Sequence, residues 1–432
     1  MKKIINYLIL AIVFFLPWQT RWIYQANEVN GQFSEHTSLY IYGTEILIGI
    51  LLGLAIIQLI LTLGRKKIRP VKTFKFNVII LVAMAIFAAL TIWYGVNYAI
   101  SLQKIVWLIL GAAMAGVIVM TRIKSELIMK AFLAATTIQA GYALHQFFTQ
   151  YIQPSKWFGV AEQYPKLLGT PVIEINGERI MRAFGSLPHP NILGGFLCIG
   201  IIFAVAILAK EKQANRRTLL LIMLAMNSLA LFMSASRSAI LALVIGLGIY
   251  YLFSAKKLVG LRPSLNRALM IIFLLAIFFS TANHNFSLAR FDGGNRLEQQ
   301  SVNDRVTQYQ EAGQVIRANW LTGVGPGNYV AALINSTPTK NIWDYQLIHN
   351  IYGLLITEFG FLLIPIGVLM YLLVKNLGLG WRKLDNEYAL ALRIALIQLA
   401  VIGLFDHYPY SLYVGIMLAS IVMGGNVRVE RK

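Results

Sequence analysis

The sequence contains few charged residues and a single cysteine. Asp, Glu, Lys and Arg make up 13% of its 432 residues, whereas soluble domains carry roughly 25%. A chain this poor in charge is not expected to be a water-soluble globular protein. The only cysteine, Cys198, lies within an apolar run, so the sequence offers neither a disulfide framework nor a thiolate metal cluster.

Metal-binding and phosphate-binding motifs are also missing. The sequence has no Asp-x-Asp pair, no His-Glu-x-x-His and no Cys/His cluster, which argues against a metal-dependent transferase that uses nucleotide sugars. The glycine-rich run at 323–327 lacks the Lys-Ser/Thr of a phosphate-binding loop, so we predict a simple turn there. We therefore expect neither a metal ion nor another cofactor.

Long apolar runs recur from one end of the chain to the other. Hydrophobic residues account for 57% of the sequence, and the mean hydropathy is +0.64. Several runs reach the ~20 residues that cross a hydrocarbon core. They predict an all-α, polytopic transmembrane helical bundle, with residues 1–432 as a single membrane domain. The twelve predicted segments are 4–18, 44–63, 76–97, 100–121, 127–149, 191–209, 218–234, 238–254, 268–282, 350–374, 388–405 and 411–425.

Basic residues outnumber acidic ones and sit between the apolar runs. The chain has 38 Lys and Arg against 18 Asp and Glu. This distribution follows the positive-inside rule and argues against a nucleic-acid-binding protein. It predicts that both termini are cytoplasmic and that the first helix is retained, not cleaved as a signal peptide. The connections predicted to be cytoplasmic are Arg65 to Lys75, Arg122 to Lys124, Lys210 to Arg217, Lys256 to Arg267, Lys375 to Lys383 and Arg428 to Lys432.

Two long connections fall on the outer face under this topology. They span residues 151–190 and 284–348, and loops longer than about 12 to 15 residues are usually functional or disordered. The second, which lies between the ninth and tenth segments, contains residues 304–320. Apolar side chains recur there at helical spacing, which predicts an amphipathic helix on the membrane surface. We find no internal repeat of the kind present in many transporters.

Three arginines are predicted to share this outer face. Arg237 lies in the turn between the seventh and eighth segments, Arg182 precedes the sixth segment, and Arg305 begins the predicted surface helix. Taken singly, Arg237 is equally well explained as a side chain that snorkels to the interface, and the other two as solvated loop charges. Together, three fixed guanidinium groups are suited to hold a diphosphate without a metal ion.

A histidine near the tenth segment is the candidate general base. His349 opens this segment, and its usual pKa range suits proton transfer at neutral pH, although a lone histidine there is also typical of a helix cap. Asp406 and His407 end the eleventh segment on the same side, where they either orient the site or anchor the helix. Glu358 lies nine positions after His349, on the opposite face of an ideal helix, so we predict that it lies outside the site.

Several stretches resemble the O-antigen ligase and polymerase superfamily of membrane glycosyltransferases. They occur in the family's order around one large outer loop and cover roughly residues 180–375. The stretches are Phe-Gly-Ser-Leu-Pro-His-Pro-Asn at 184–191, Ser-Ala-Ser-Arg-Ser-Ala at 234–239, Arg-Val-Thr-Gln-Tyr and Trp-Leu-Thr-Gly-Val-Gly-Pro-Gly-Asn-Tyr within 305–329, and His-Asn-Ile-Tyr with Glu-Phe-Gly within 349–360.

The resemblance implies a metal-independent glycosyltransferase of the cytoplasmic (inner) membrane, with its active site on the periplasmic or extracellular face. Members of the superfamily move an oligosaccharide from an undecaprenyl diphosphate carrier to a glycan, lipid or protein acceptor. Carried over to this sequence, the family's catalytic histidine is His349. Its diphosphate-binding arginines are Arg182, Arg237 and Arg305. From their positions in the sequence, we add Asn191, Asp406 and His407 as supporting residues of the site.

Other functions stay open at this point. A polysaccharide polymerase of the same superfamily would use the same residues, and the sequence does not separate it from a ligase. A secondary transporter or lipid-glycan flippase would share the predicted topology. However, transport sites usually lie at the bilayer midplane, whereas the candidate polar residues here gather at the outer edge.

Overall fold

The computed structural model describes residues 1–63, 73–256, 262–289, 296–376, 379–381 and 386–429. Within these ranges most of the chain is helical. The predicted basic connections at 65–75, 256–267, 375–383 and 428–432 lie partly outside the described residues.

Each of the twelve apolar segments predicted from the sequence is largely helical, and the segment at 350–374 divides into two helices. Seven helical stretches of the described chain are long and apolar enough to cross a membrane, namely Gly43–Thr62, Tyr98–Thr121, Ser125–Thr149, Pro190–Lys210, Ala214–Ser234, Arg262–Ala282 and Ile351–Asn376. That all twelve segments cross remains a prediction. The helices are α1 Lys2–Phe15, α2 Gly43–Leu63, α3 Thr73–Tyr94, α4 Tyr98–Thr121, α5 Ser125–Thr149, α6 Pro190–Lys210, α7 Ala214–Ser234, α8 Arg237–Lys256, α9 Arg262–Ala282, α10 His284–Ala289, α11 Arg296–Ala318, α12 Tyr329–Ser336, α13 Ile351–Phe359, α14 Leu363–Asn376, α15 Glu387–Gly403, α16 Tyr408–Ser411 and α17 Tyr413–Asn426.

Helix α6 lies inside the bundle. Its composition is apolar on every side, as expected for an enclosed helix, and nearly all of its residues are buried. The helix begins where the His189 side chain accepts a hydrogen bond from the Asn191 backbone N–H, with Pro190 at its first position. Proline suits this position because its missing N–H would have no helical partner there. Asn191 therefore lies in the first turn of α6, next to the connecting segments described below.

Short antiparallel strand pairs, some of them hairpins, are present in addition to the helices. The all-α prediction is therefore correct for the bundle but omits these strands. Two of the hairpins turn at Asn30-Gly31 and Asn176-Gly177, where all four residues have positive φ. Asn-Gly is favoured in such tight turns because both residues tolerate positive φ. The pairs are β1 Arg21–Gln25 with β4 Leu39–Tyr42, β2 Glu28–Val29 with β3 Gln32–Phe33, β5 Val172–Ile175 with β6 Glu178–Met181, and β7 Leu379–Trp381 with β8 Val427–Val429.

Three connecting segments meet at one end of the bundle, which we call the loop end. They are residues 16–42, 150–189 and 296–350. Direct contacts join them, so the two long connections predicted from the sequence lie on the same side of the bundle. The contacts include a hydrogen bond from Thr20 Oγ1 to the Trp157 carbonyl (2.5 Å), an ion pair between Arg296 and Glu174 (2.9 Å), and a hydrogen bond from Asn30 Nδ2 to the Pro338 carbonyl (3.2 Å).

A helix covers most of the predicted 304–320 segment and begins earlier, as α11; its position on the membrane surface stays a prediction. It is followed by the predicted glycine-rich turn, which packs against the end of α13. The backbone N–H groups of Val324 and Gly325 donate to the carbonyls of Thr357 and Glu358 at 3.0 Å each. Gly323 has a φ of +68°, and a Cβ there would lie 2.3 Å from the Glu358 backbone. Only glycine permits this close approach.

We predict that the loop end faces away from the cytoplasm. Single cysteines at the exposed positions Lys156 and Asn341, in a Cys198→Ser background, should react with a membrane-impermeant thiol reagent in intact cells. A cysteine at Lys212, in a short basic connection, should be protected until the cells are opened. If the two loop-end positions are labelled from opposite sides of the membrane, the prediction that they share one face is wrong.

Candidate functional site

A cavity of about 670 Å³ opens at the loop end. Among the described residues, its arginines are Arg179 and Arg182 from the 150–189 segment and Arg305 from α11. His349 and His407 line the same cavity. We call it the arginine cavity. It brings together two of the three arginines predicted from the sequence and the predicted general base.

Arg182 is fixed in place by the turn between α7 and α8. Its side chain is only 6% exposed. The Nε group donates to the Ser234 carbonyl at 2.9 Å, and Nη2 donates to Asn191 Oδ1 at 2.8 Å and to the Ala235 carbonyl at 3.4 Å. A cation held by several hydrogen bonds does not have to reorganise when negative charge develops beside it.

Asn191 joins Arg182 to Asp406. Its Oδ1 atom accepts from Arg182, while its Nδ2 group donates to Asp406 Oδ2 at 2.8 Å. Asp406 also accepts from the His407 backbone N–H at 2.8 Å. The predicted supporting residues therefore form one hydrogen-bonded chain with a predicted diphosphate-binding arginine.

The arginine cavity is lined by the acidic residues Glu35, Glu298 and Asp304 as well as by arginines. Glu35 lines the cavity, but its carboxylate pairs with Arg21 at 2.7 Å. Within the described part of the chain, Arg179 and Arg305 have no side-chain hydrogen bond or ion pair. Guanidinium groups in this situation favour an anionic ligand, and their planar donors match phosphate oxygens.

Arg237 lies beside the arginine cavity, not on its wall. It is the first residue of α8 and pairs with Glu298 of α11 at 3.0 Å. Glu298 lines the arginine cavity, whereas Arg237 lines a separate pocket of about 110 Å³ together with Phe279 and Phe286. The structure thus does not place Arg237 with Arg182, and its predicted role in diphosphate binding stays a prediction.

His349 lies just before α13. The helix begins at Ile351, after the Asn350 side chain accepts a hydrogen bond from the Gly353 N–H at 3.0 Å. His349 Nδ1 lies 2.8 Å from Oε1 of Gln308, a side chain of α11 that is 5% exposed. Helix α11, which bears Arg305, therefore also contacts the predicted base.

Four histidines meet next to Asp406. The sequence contains six histidines, and four of them line the arginine cavity: His36, His189, His349 and His407. The rings of His349 and His407 have their centroids 5.3 Å apart and an interplanar angle of 68°. The four histidines come from four distant segments of the chain, so only tertiary folding brings them together.

The protonation states follow from burial and from Asp406. Burial lowers the pKa of His349 below its usual value; Asp406 opposes this effect, and the Arg305 guanidinium adds to it. Burial also lowers the pKa of His407 well below its usual value. Burial alone raises the pKa of Asp406, but the nearby His407, His349 and His189 outweigh it and hold the carboxyl group below its usual pKa. At neutral pH the site therefore contains the Asp406 carboxylate and neutral imidazoles at His349 and His407, which can accept a proton.

A second cavity, of about 220 Å³, continues from His349 along α4. We call it the deep cavity. Lys104 and Trp107 of α4 line it, together with Glu358. The Lys104 ammonium donates to the Ser411 carbonyl and lies 5.3 Å from the Trp107 ring centroid. The Lys104 ammonium is therefore held by a backbone carbonyl and an aromatic ring.

The predicted placement of Glu358 on the face opposite His349 is wrong. Both residues line the deep cavity, and Glu358 Oε2 accepts from Tyr410 Oη at 2.6 Å and from the Gly327 N–H at 2.7 Å. Helical spacing does not relate the two residues, because His349 precedes the first residue of α13.

Several cavity residues were not identified from the sequence. Gln308 offered a signal, since it follows Arg305 by three positions and such residues share a helix face. His189 lies within the Leu-Pro-His-Pro-Asn stretch. His36 and Arg179 gave no signal of their own, because each lies in a hairpin segment whose position depends on tertiary contacts.

Residues 218–372 match the model of a protein family described as O-antigen ligase. This stretch contains Arg237, Arg305 and His349, and it begins after Arg182 and Asn191. No curated protein matches the chain. The apolar helices and the family match together indicate an integral membrane protein. The match confirms the resemblance found in the sequence: residues 218–372 are similar to the family described as O-antigen ligase.

Proposed function

We propose that the protein transfers an oligosaccharide from an undecaprenyl-diphosphate-linked donor to an acceptor hydroxyl, without a metal ion. We place the reaction on the outer face of the cytoplasmic membrane, with both termini in the cytoplasm. The observation that carries the proposal is the arginine cavity, where Arg179, Arg182 and Arg305 share one space with His349.

The donor diphosphate would lie against the arginines. When the sugar leaves the carrier, negative charge develops on the diphosphate, and fixed cations stabilise that charge most when they are already in place. Arg182 is held by Ser234 and Asn191, and Arg305 has no competing partner among the described residues. We propose that Arg237 joins them when the donor displaces Glu298 from its ion pair.

The acceptor hydroxyl would lie next to His349. The acceptor oxygen attacks the anomeric carbon of the donor sugar, and a new carbon–oxygen bond forms. The bond between that carbon and the diphosphate breaks, and the electron pair leaves with the carrier diphosphate. His349 takes the proton from the acceptor hydroxyl, for which its neutral state at pH 7 is suited.

The polymerase alternative differs in the acceptor alone. A ligase acceptor is a different glycan, a lipid or a protein, whereas a polymerase acceptor is a second carrier-linked glycan. For a transporter or flippase, substrate groups are expected near the bilayer midplane. The arginine cavity lies instead at the loop end of the bundle, which favours a transferase.

The proposal is tested with purified protein in lipid nanodiscs, to measure transfer, and in lipid vesicles, to measure transport. The protein is incubated with a lipid-linked oligosaccharide and candidate acceptors, and the products are separated by mass. Appearance of a glycosylated acceptor together with free carrier diphosphate supports the transferase. Passage of intact donor across a vesicle membrane, with no transfer product for any acceptor including a second donor molecule, supports the flippase instead.

We predict that transfer continues in EDTA at the untreated rate. In the described ranges, no group of three or more His, Cys, Asp or Glu side chains is arranged to hold a metal ion. The arginines supply the positive charge that a divalent cation provides in many other transferases. A loss of activity in EDTA that added magnesium or manganese reverses would refute the arginine-based mechanism.

A further inference from the structure

The hydrogen bond between His349 and Gln308 determines which nitrogen of the imidazole carries the proton. A neutral imidazole has one N–H donor and one acceptor nitrogen, and the partner of one nitrogen sets the state of the other. His349 Nδ1 lies 2.8 Å from Gln308 Oε1. A carbonyl oxygen only accepts hydrogen bonds, so Nδ1 must carry the hydrogen. The lone pair then lies on Nε2, which has no hydrogen-bond partner among the described residues.

The orientation of the Gln308 amide is fixed by a second glutamine. Gln346 Nε2 donates to the Trp343 carbonyl at 3.0 Å, so the oxygen of Gln346 faces Gln308. This oxygen requires a donor, and Gln308 Nε2 supplies it at 3.4 Å. With its nitrogen committed to Gln346, Gln308 can present only its oxygen to His349.

We propose that Gln308 is a positioning residue that holds His349 as the Nδ1–H tautomer and directs Nε2 to the acceptor hydroxyl. This inference rests on the proposed function, because it assigns the proton-accepting atom of the same reaction. Gln308 also lines the arginine cavity, but the proposal assigns it no bond to the substrate. It acts through His349, and it lies on the helix that also bears Arg305.

An amide at this position has a different effect from a carboxylate. An amide fixes the tautomer without adding charge, whereas a carboxylate in hydrogen-bond contact would also favour the protonated imidazole. The other titratable or charged groups around His349 come from several elements. They are Arg305 and Asp304 on α11, Asp406 and His407 before α16, Glu35, His36 and His189 from the connecting segments, and Lys104 and Glu358 in the deep cavity. All of them stay unchanged when only Gln308 is replaced.

Two substitutions at this position separate tautomer control from simple packing. Gln308→Glu keeps an acceptor at Nδ1 and adds a negative charge. We expect its acid limb in the pH profile of transfer to move up by about 1 to 2 pH units, with the high-pH plateau retained. Gln308→Met removes the acceptor, and we expect its plateau rate to fall roughly tenfold to hundredfold with the donor KM unchanged.

The matched control is Gln310→Glu, which adds the same charge to an exposed position of the same helix. Its pH profile should coincide with that of the wild type. Nitrogen-15 NMR of histidine-labelled protein, with the His349 signals assigned by their loss in His349→Ala, gives the tautomer without any transfer reaction. The wild type should show a protonated Nδ1, and Gln308→Glu should show a raised pKa.

The possible failures are distinguishable. A wild-type His349 protonated at Nε2, or equal losses in Gln308→Glu and Gln308→Met with no shift of the pH profile, would overturn the role of Gln308 while the transferase stands. Absence of transfer by the wild type would overturn the proposed function, and the NMR experiment would still report the tautomer.

Discussion

Replacement of His349 by alanine is expected to slow glycan transfer by about 10² to 10⁴-fold, the usual contribution of a general base. The affinity for the lipid-linked donor should remain close to that of the wild type, because the arginines and not the imidazole are assigned to the diphosphate. Transfer rates and donor binding are measured on the same purified protein in nanodiscs.

The matched control for this substitution is His284→Ala. His284 is an exposed histidine of α10, outside the arginine cavity and the deep cavity. Its loss should leave the transfer rate unchanged. If His349→Ala transfers glycan at nearly the wild-type rate, His349 is not the base and the mechanism proposed above is wrong.

The second large effect is expected from Arg305→Ala. Loss of one charge-stabilising donor typically costs about 10² to 10³ in rate, and here it should also raise the donor KM. Arg305→Lys should remain impaired, since an ammonium group cannot reproduce the planar pair of N–H donors that binds two phosphate oxygens.

Arg317→Ala provides the comparison for this second effect. Arg317 lies in the last turn of the same helix, is exposed, and does not line the arginine cavity. The same loss of charge there should leave kcat/KM for the donor unchanged. Equal losses in the two variants would mean that Arg305 acts through the general field of the helix and not through contact with the diphosphate.

The helical bundle was predictable because an apolar run of about 20 residues has few alternatives to forming a membrane-spanning helix. In a bilayer, the backbone N–H and C=O groups of a segment must form hydrogen bonds with one another, and a helix provides these bonds. Helix ends were less predictable. The tenth segment breaks at Gly360, which has a φ of +54°, although its apolar composition continues without interruption on both sides.

The hairpins were less visible than the helices. The Asn-Gly pairs at 30–31 and 176–177 are turn signals, but the strands next to them have only two to four residues. Such short strands contain too few residues to show the alternation of apolar and polar side chains by which a strand is recognised in a sequence. As a result, the N-terminal segment 16–42 was not identified as part of the site, although Glu35 and His36 line both cavities.

The candidate site was only partly predictable. Arg182, Arg305 and His349 were identified because charged and titratable residues are conspicuous beside apolar runs. The partners that they contact are ordinary polar residues. Gln308 is one glutamine among several on α11, and the role proposed for it depends on a 2.8 Å contact with a residue 41 positions away.

The chain of hydrogen bonds from Arg182 through Asn191 to Asp406 limits how the protein can be divided. All three residues lie outside the family-matched stretch 218–372, which contains Arg305 and His349. A chimaera that takes only this stretch from a relative would therefore combine the relative's counterpart of His349 with the original Arg182, Asn191 and Asp406. For engineering purposes, the exchangeable unit is the complete set of walls around the arginine cavity, and it extends beyond the limits of the family domain.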